Sequence, residues 1–165
     1  MTDAEGDAAP APRPEHEVEV MGVFTSDEDN QRAFVLLRDA ANRSIPIAIG
    51  PCEALAIQMV LQKSAPPRPM THDLIHNVLE RLQATLDRVV IDDLSNQTFY
   101  CTLCLSRNGE ALRVDSRPSD AIAIALRCSS PIFVSEDVIS EASIEEEPPP
   151  DADIEPEEPD DDEPA

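Results

Sequence analysis

Trp is absent, and the 165 residues hold only four Phe and one Tyr. So few rings make an aromatic platform for stacking single strands improbable. Positive charge is scarce too: 12 Lys and Arg face 34 Asp and Glu, a formal charge of −22. A chain this acidic has no global attraction for nucleic acid or for an anionic membrane surface. Glycine is rare, at four residues against 16 Pro, which points to stiff, extended segments. No apolar run reaches the roughly 20 residues that span a bilayer, so no membrane partner is expected. The opening MTDAEGDAAPAPRPE lacks a basic stretch followed by an apolar one. A cytoplasmic protein with reduced thiols is the resulting expectation.

What is present is unevenly spread. From Glu145 to Ala165, 12 of 21 residues are acidic, six are Pro and none is basic. Such a segment cannot bury enough apolar surface to offset its ordering entropy, so a disordered acidic tail is expected over 144–165. Residues 1–17 read as a shorter disordered arm. Between them, residues 18–144 hold 17 acids and 11 basic residues, a net of −6. The charge anomaly is mostly a property of the tail.

Apolar periodicity divides that core. Strands are expected at 18–25, 33–38, 45–49, 88–93, 97–106, 110–115 and 131–134, with a turn at Ser26–Asn30. Asn108-Gly109 signals a hairpin. Gly50-Pro51 opens a first helix, apolar nearly all round and expected to be buried, which PPRP at 66–69 stops. A second helix is expected from an N-cap at Thr71, with a stripe of Leu74, Ile75, Val78, Leu79, Leu82 and Leu86. A third is expected after Ser119 as cap, and a short fourth near the end. The sum is an α+β domain: a mixed, largely antiparallel sheet with helices packed on it.

Three constellations could carry chemistry. Cys101 and Cys104 have metal or redox spacing, but strand alternation sends their sulfurs to opposite faces, so structural thiols are expected. His72 and His76 share a helix face as in a zinc protease, yet Asp73 stands where a Glu is required and no third ligand follows. The stretch from Val114 to Asp120 runs from a strand end through a Pro-containing turn into a helix N-terminus. Asp115 and Asp120 could hold a metal there and Arg117 a phosphate; dipole neutralisation and capping by Ser119 explain the same residues without function.

GPCEALAIQMVLQ, then PPRPMTHDLIHNVLERL, then RPSDAIAIALRCSSPIFVSEDV, in that order, closely resemble the bifunctional nuclease domain, a bacterial and plant family credited with DNase and RNase activity. The resemblance covers about residues 18–143. It implies an α+β domain hydrolysing phosphodiesters of DNA and RNA, with polar motif positions at Glu53, Thr71, His72, Asp73, Asp115, Arg117, Ser119 and Asp120. Such cleavage needs an activated water and charge neutralisation, which carboxylate-held Mg²⁺ or Mn²⁺ supplies. Asp73, Asp115 and Asp120 are then the expected metal ligands and His72 the base or proton shuttle. Arg117 and Ser119 are expected at the phosphate, with Glu53 as a further candidate. Arg107, Arg113, Arg117 and Arg127 cluster in sequence around this motif. The competing expectation is a non-catalytic regulatory or protein-binding module whose acidic tail recruits a basic partner. The tail could equally compete with substrate for those arginines, or only aid solubility. Exposed sheet edges make a homo-oligomer plausible.

Overall fold

The computed structural model describes residues 13–25 and 32–144. The acidic tail from 145 onward, the first 12 residues and the expected turn at Ser26–Asn30 lie outside the described residues. Seven strands form one sheet in the order β3-β2-β1-β7-β4-β5-β6. The first meander is β1 (Glu15–Thr25), β2 (Ala33–Asp39) and β3 (Ser44–Ile49); the second is β4 (Thr85–Ser95), β5 (Thr98–Arg107) and β6 (Glu110–Ser116). Helices α1 (Pro51–Leu61) and α2 (Thr71–Arg81) connect them. After β6, α3 (Pro118–Cys128) returns the chain to β7 (Ile132–Ser135) and α4 (Glu136–Ala142). β7 sits between the meanders, antiparallel to β1 and parallel to β4, the one parallel pairing in the order. The mixed, largely antiparallel α+β architecture is as expected.

Both outer boundaries of the domain differ from expectation by a few residues. β1 begins at Glu15, inside the expected arm, because Glu15 to Val18 pair with Ser135 to Ile132. Ile144, placed with the tail, donates its backbone N–H to the Ser44 carbonyl at 2.8 Å.

Alternation along the strands builds the core. Val35, Leu37, Val89, Ile91, Cys101 and Val134 are all buried and join α1, α3 and α4 in one cluster. α3 is its axis, with Ala121, Ile122, Ala123, Ile124 and Ala125 all buried. Burying each Ile contributes roughly 1.5–3 kcal/mol. The expected stripe on α2 divides: Ile75 and Leu79 pack on the core, whereas Leu74, Val78 and Leu82 are exposed. Leu86 belongs to β4 and is buried there. α1 is less buried than its composition suggests, with Leu55 and Leu61 facing outward.

The scarcity of glycine has a local consequence. α1, α2 and α3 end on Lys63, Gln83 and Ser129, all with φ near +54 or +55°. The turn closures are regular, with Ser64 N–H reaching Met59 O at 2.9 Å and Ala84 N–H reaching Leu79 O at 2.9 Å. Glycine usually occupies that left-handed position, because any Cβ there is strained. Asn108 (φ 51°) and Gly109 (φ 80°) form the expected two-residue hairpin; Asn96 and Gln97 (φ 51° and 61°) form another without glycine.

Candidate active site

Three helices present their first turns to one another. Glu53 lies in the first turn of α1, His72 and Asp73 in that of α2, and Asp120 in that of α3. Acidic residues are favoured there because the exposed N–H groups and aligned peptide dipoles make each helix start electropositive. The helix starts differ in detail from expectation. Met70, not Thr71, is the N-cap of α2, and its N–H is accepted by the Asp73 carboxylate at 2.9 Å. Arg117, not Ser119, caps α3, with Pro118 at its first position and Ser119 buried behind it. Ser119, though largely buried, still borders a second cavity beside Arg117 and Gly50.

A continuous polar chain links the three starts. The Arg117 Nε donates to Asp120 Oδ2 at 2.8 Å and its Nη2 to Glu53 Oε1 at 2.8 Å. On the far side of Asp120, Oδ1 lies 2.9 Å from His72 Nε2. Arg117 is exposed (67%), Asp120 about a quarter exposed, and the His72 side chain nearly enclosed at 11%. Burial acts to raise the Asp120 pKa, but hydrogen bonds from Arg117 and His72, with the charge of Arg117, outweigh it and hold the carboxyl below its ordinary value. The same carboxylates raise the Arg117 pKa, chiefly through the Asp120 hydrogen bond. Gly50 permits this geometry, since a Cβ there would collide with the Glu53 carboxylate.

Beside the chain opens a cleft of about 610 Å³ lined by Ile75, Phe99, Tyr100, Leu103, Asp115, Arg117 and Asp120, among others. Phe99 and Tyr100 were not anticipated there. The Phe99 ring stands on the helix side of β5 at the mouth of the site, while Tyr100 borders the cleft from the opposite face, a placement that follows from the alternation of β5 and that no motif announces.

The matching residues now decide the family. Residues 35–147 match the model of the bifunctional nuclease domain. The chain belongs to the bifunctional nuclease domain family. Two uncharacterized proteins of Mycobacterium tuberculosis, MT1877 of strain CDC 1551 and Rv1829 of strain H37Rv, are each 42% identical to it over 108 residues. The match takes in 66% of this chain and 64% of each relative, so the chain spans a little under two thirds of the proteins it matches.

Within this bifunctional nuclease domain the expected ligand set Asp73, Asp115 and Asp120 is not brought together. Asp73 accepts Arg127 Nε at 2.6 Å, and that guanidinium also donates to the carbonyls of Ala56 at 3.1 Å and Ala123 at 2.8 Å. Arg127 is only 7% exposed, so this is an internal clasp tying α1, α2 and α3. Burial acts to raise the Asp73 pKa, and the Arg127 and Met70 hydrogen bonds lower it further than burial raises it. Asp115 borders the cleft, but in β6 it alternates with Val114, whose partner Leu103 faces the helices, so its side chain points to the other face. Among the described residues no three His, Cys, Asp or Glu side chains gather as around a metal ion. The donors present do not fit a three-carboxylate Mg²⁺ or Mn²⁺ cage.

The other constellations resolve simply. His76 turns away from His72, placing Nδ1 3.3 Å from Cys128 Sγ and Nε2 3.7 Å from Glu80. Cys101 is buried and Cys104 half-buried on the opposite face; burial pushes the Cys101 thiol up to about 12. The arginine cluster is split as well, since Arg127 is internal while Arg107 and Arg113 are exposed on the β5–β6 hairpin. No helix among the described residues is long and apolar enough to cross a membrane.

Proposed function

We propose that this domain hydrolyses phosphodiester bonds of DNA and RNA with low sequence selectivity, at the mouth of the cleft where Arg117 is exposed. The observation that carries the reading is the Glu53–Arg117–Asp120–His72 chain set across three helix N-termini. Arg117 binds the phosphate by exchanging a carboxylate oxygen for a phosphate oxygen, and free N–H groups of the helix starts add to its field. Phe99, on the helix side of β5, offers a ring face to a flanking base. Asp120, the more accessible member of its pair, orients the attacking water. Asp120 takes the proton of that water as the water oxygen bonds to phosphorus, while His72, donating its Nε2–H to Asp120 Oδ1 at 2.9 Å, holds the carboxylate in place; the P–O bond to the leaving oxygen breaks and that oxygen takes up a proton from solvent. Asp73 and Ser119 support the helices that hold the site, and no step is assigned to a divalent cation. The test is Arg117→Ala against Arg117→Lys on single-stranded RNA and DNA. Arg117→Ala should raise KM at least tenfold and Lys should recover part of it; an unchanged KM in Arg117→Ala rejects the phosphate-binding role.

A second reading is favoured by one observation: the exposed cation is already paired twice, as a clamp between α1 and α3 would be. In that reading the domain is a non-catalytic binding module and its acidic tail recruits a basic partner. A folded sample that cleaves neither RNA nor DNA, yet retains a partner only when residues 145–165 are present, favours it.

A further inference from the structure

The two edges of the sheet are protected very differently. β3 is short, carries Pro46 and is bridged at Ser44 by Ile144, all of which hinder addition of another strand. β6 has seven residues, no proline, and pairs with β5 without a bulge, whereas β1 and β4 both carry register shifts. It is exposed on both faces for almost its whole length, with Leu112 and Val114 each at 44%. Its outer edge is bare. Neither Arg113 nor Asp115 has a hydrogen-bond or ion-pair partner among the described residues. On the helix side, Val114 shares the cleft with Ile75 of α2, and next to Ile75 on that helix the exposed Leu74 and Val78 extend the apolar surface.

Among the registers centred between Leu112 and Asp115, a second copy of the chain fits this edge best in one. Two-fold antiparallel pairing of β6 with itself must set one residue opposite its own copy. Centring on Arg113 opposes two guanidiniums, and centring on Asp115 opposes two carboxylates. Centring on Leu112 sets Val114 against Glu110. Centring on Val114 sets Arg113 opposite Asp115 of the second copy, twice by symmetry, with Leu112 opposite Ser116. Opposite charges directly across a strand pair stabilise it, and like charges oppose it. We propose that β6 is a self-association edge that pairs antiparallel with β6 of a second copy, Val114 opposite Val114, giving a continuous sheet through the dimer. The same register brings Ala111 opposite Arg117 of the second copy just beyond β6, so the proposal is tested by association and cross-linking, which read no cleavage and stand or fall apart from the nuclease reading.

Sedimentation of the full chain tests it. The wild type should reach a mass twice the 18.0 kDa chain. Arg113→Asp and Asp115→Arg should each weaken the dimer about tenfold, and the two combined should restore it, since the swap recreates both pairs. A wild type that remains a monomer, or a double variant no tighter than the single ones, overturns the proposal. Because charge reversals can also disturb folding, a cysteine probe reads the register directly: in a Cys52→Ser background under mild oxidation, Val114→Cys should cross-link to its own copy much faster than Leu112→Cys. Equal or slower cross-linking at 114 rejects the register.

Discussion

Replacing Arg127 by Met tests whether Asp73 belongs to the framework or to the chemistry. The substitution keeps the aliphatic stem and deletes a guanidinium that is 7% exposed. Three acceptors lose a donor: Asp73 Oδ1 and the carbonyls of Ala56 and Ala123. Breaking a buried pair costs about 3–5 kcal/mol. Asp73 is about a quarter exposed and keeps the Met70 N–H, so the expected loss is lower, about 2–3 kcal/mol. For a domain of this length each kcal/mol lowers Tm by about 3–5 °C, hence a drop of roughly 6–15 °C. Urea unfolding of Arg127→Met, Asp73→Asn and the double variant should give a coupling energy of at least about 1 kcal/mol, because the two side chains share one interaction. Specific activity per folded molecule of Asp73→Asn should stay within a fewfold of wild type. A coupling below about 0.5 kcal/mol, or an Asp73→Asn protein of unchanged Tm that has lost cleavage, would refute the clasp and return Asp73 to the chemistry.

Other outcomes follow from the same geometry. With the acidic donors dispersed, millimolar Mg²⁺ should raise the Tm of the free protein no more than an ionic-strength control does; a saturable shift would reveal an assembled cation site. Gln83→Gly should stabilise by about 0.5–1 kcal/mol in urea unfolding, since glycine removes the Cβ strain of the left-handed cap, and a destabilised variant would contradict that reading. Hydrogen bonds from Arg43 and Ser140 pull Glu136 from 4.5 to about 2. That pairing therefore adds stability that is complete above about pH 4.5 and is lost as pH falls toward 2, so Glu136→Gln should flatten the acid limb of the stability curve. A thiol reagent should modify the exposed Cys52 at once and leave Cys101 untouched until unfolding; early labelling of Cys101 would place it elsewhere.

The strands, their alternation and the hairpin at Asn108-Gly109 were legible because side-chain period and turn chemistry are local properties. Cys101 and Cys104 diverge for the same reason. Helix ends were less legible. Gln83 ends α2 without the glycine that usually marks such a stop, so Leu86 read as part of the helical stripe when it begins a strand. At the site, Arg117, Asp120, His72 and Glu53 could be chosen as residues but not as a chain, because their contacts join α1, α2 and α3 across many positions in sequence. The expected cation ligand set is dispersed for a geometric reason. Asp115 lies in β6, and pleating turns its side chain away from the helix face that holds Asp120. Asp73 is drawn off by Arg127, a residue that read as part of a surface arginine cluster and is in fact internal.

Cleavage of single-stranded RNA by Asp120→Asn, with its melting curve recorded beside that of the wild type, bears most directly on the site. The amide keeps the shape but can neither hold Arg117 as an ion pair nor take a proton from the attacking water, so the rate should fall by about 100-fold or more while the protein stays folded. A folded Asp120→Asn protein that cleaves within about twofold of wild type, far inside that range, would contradict the assignment of this chain of residues as the active site.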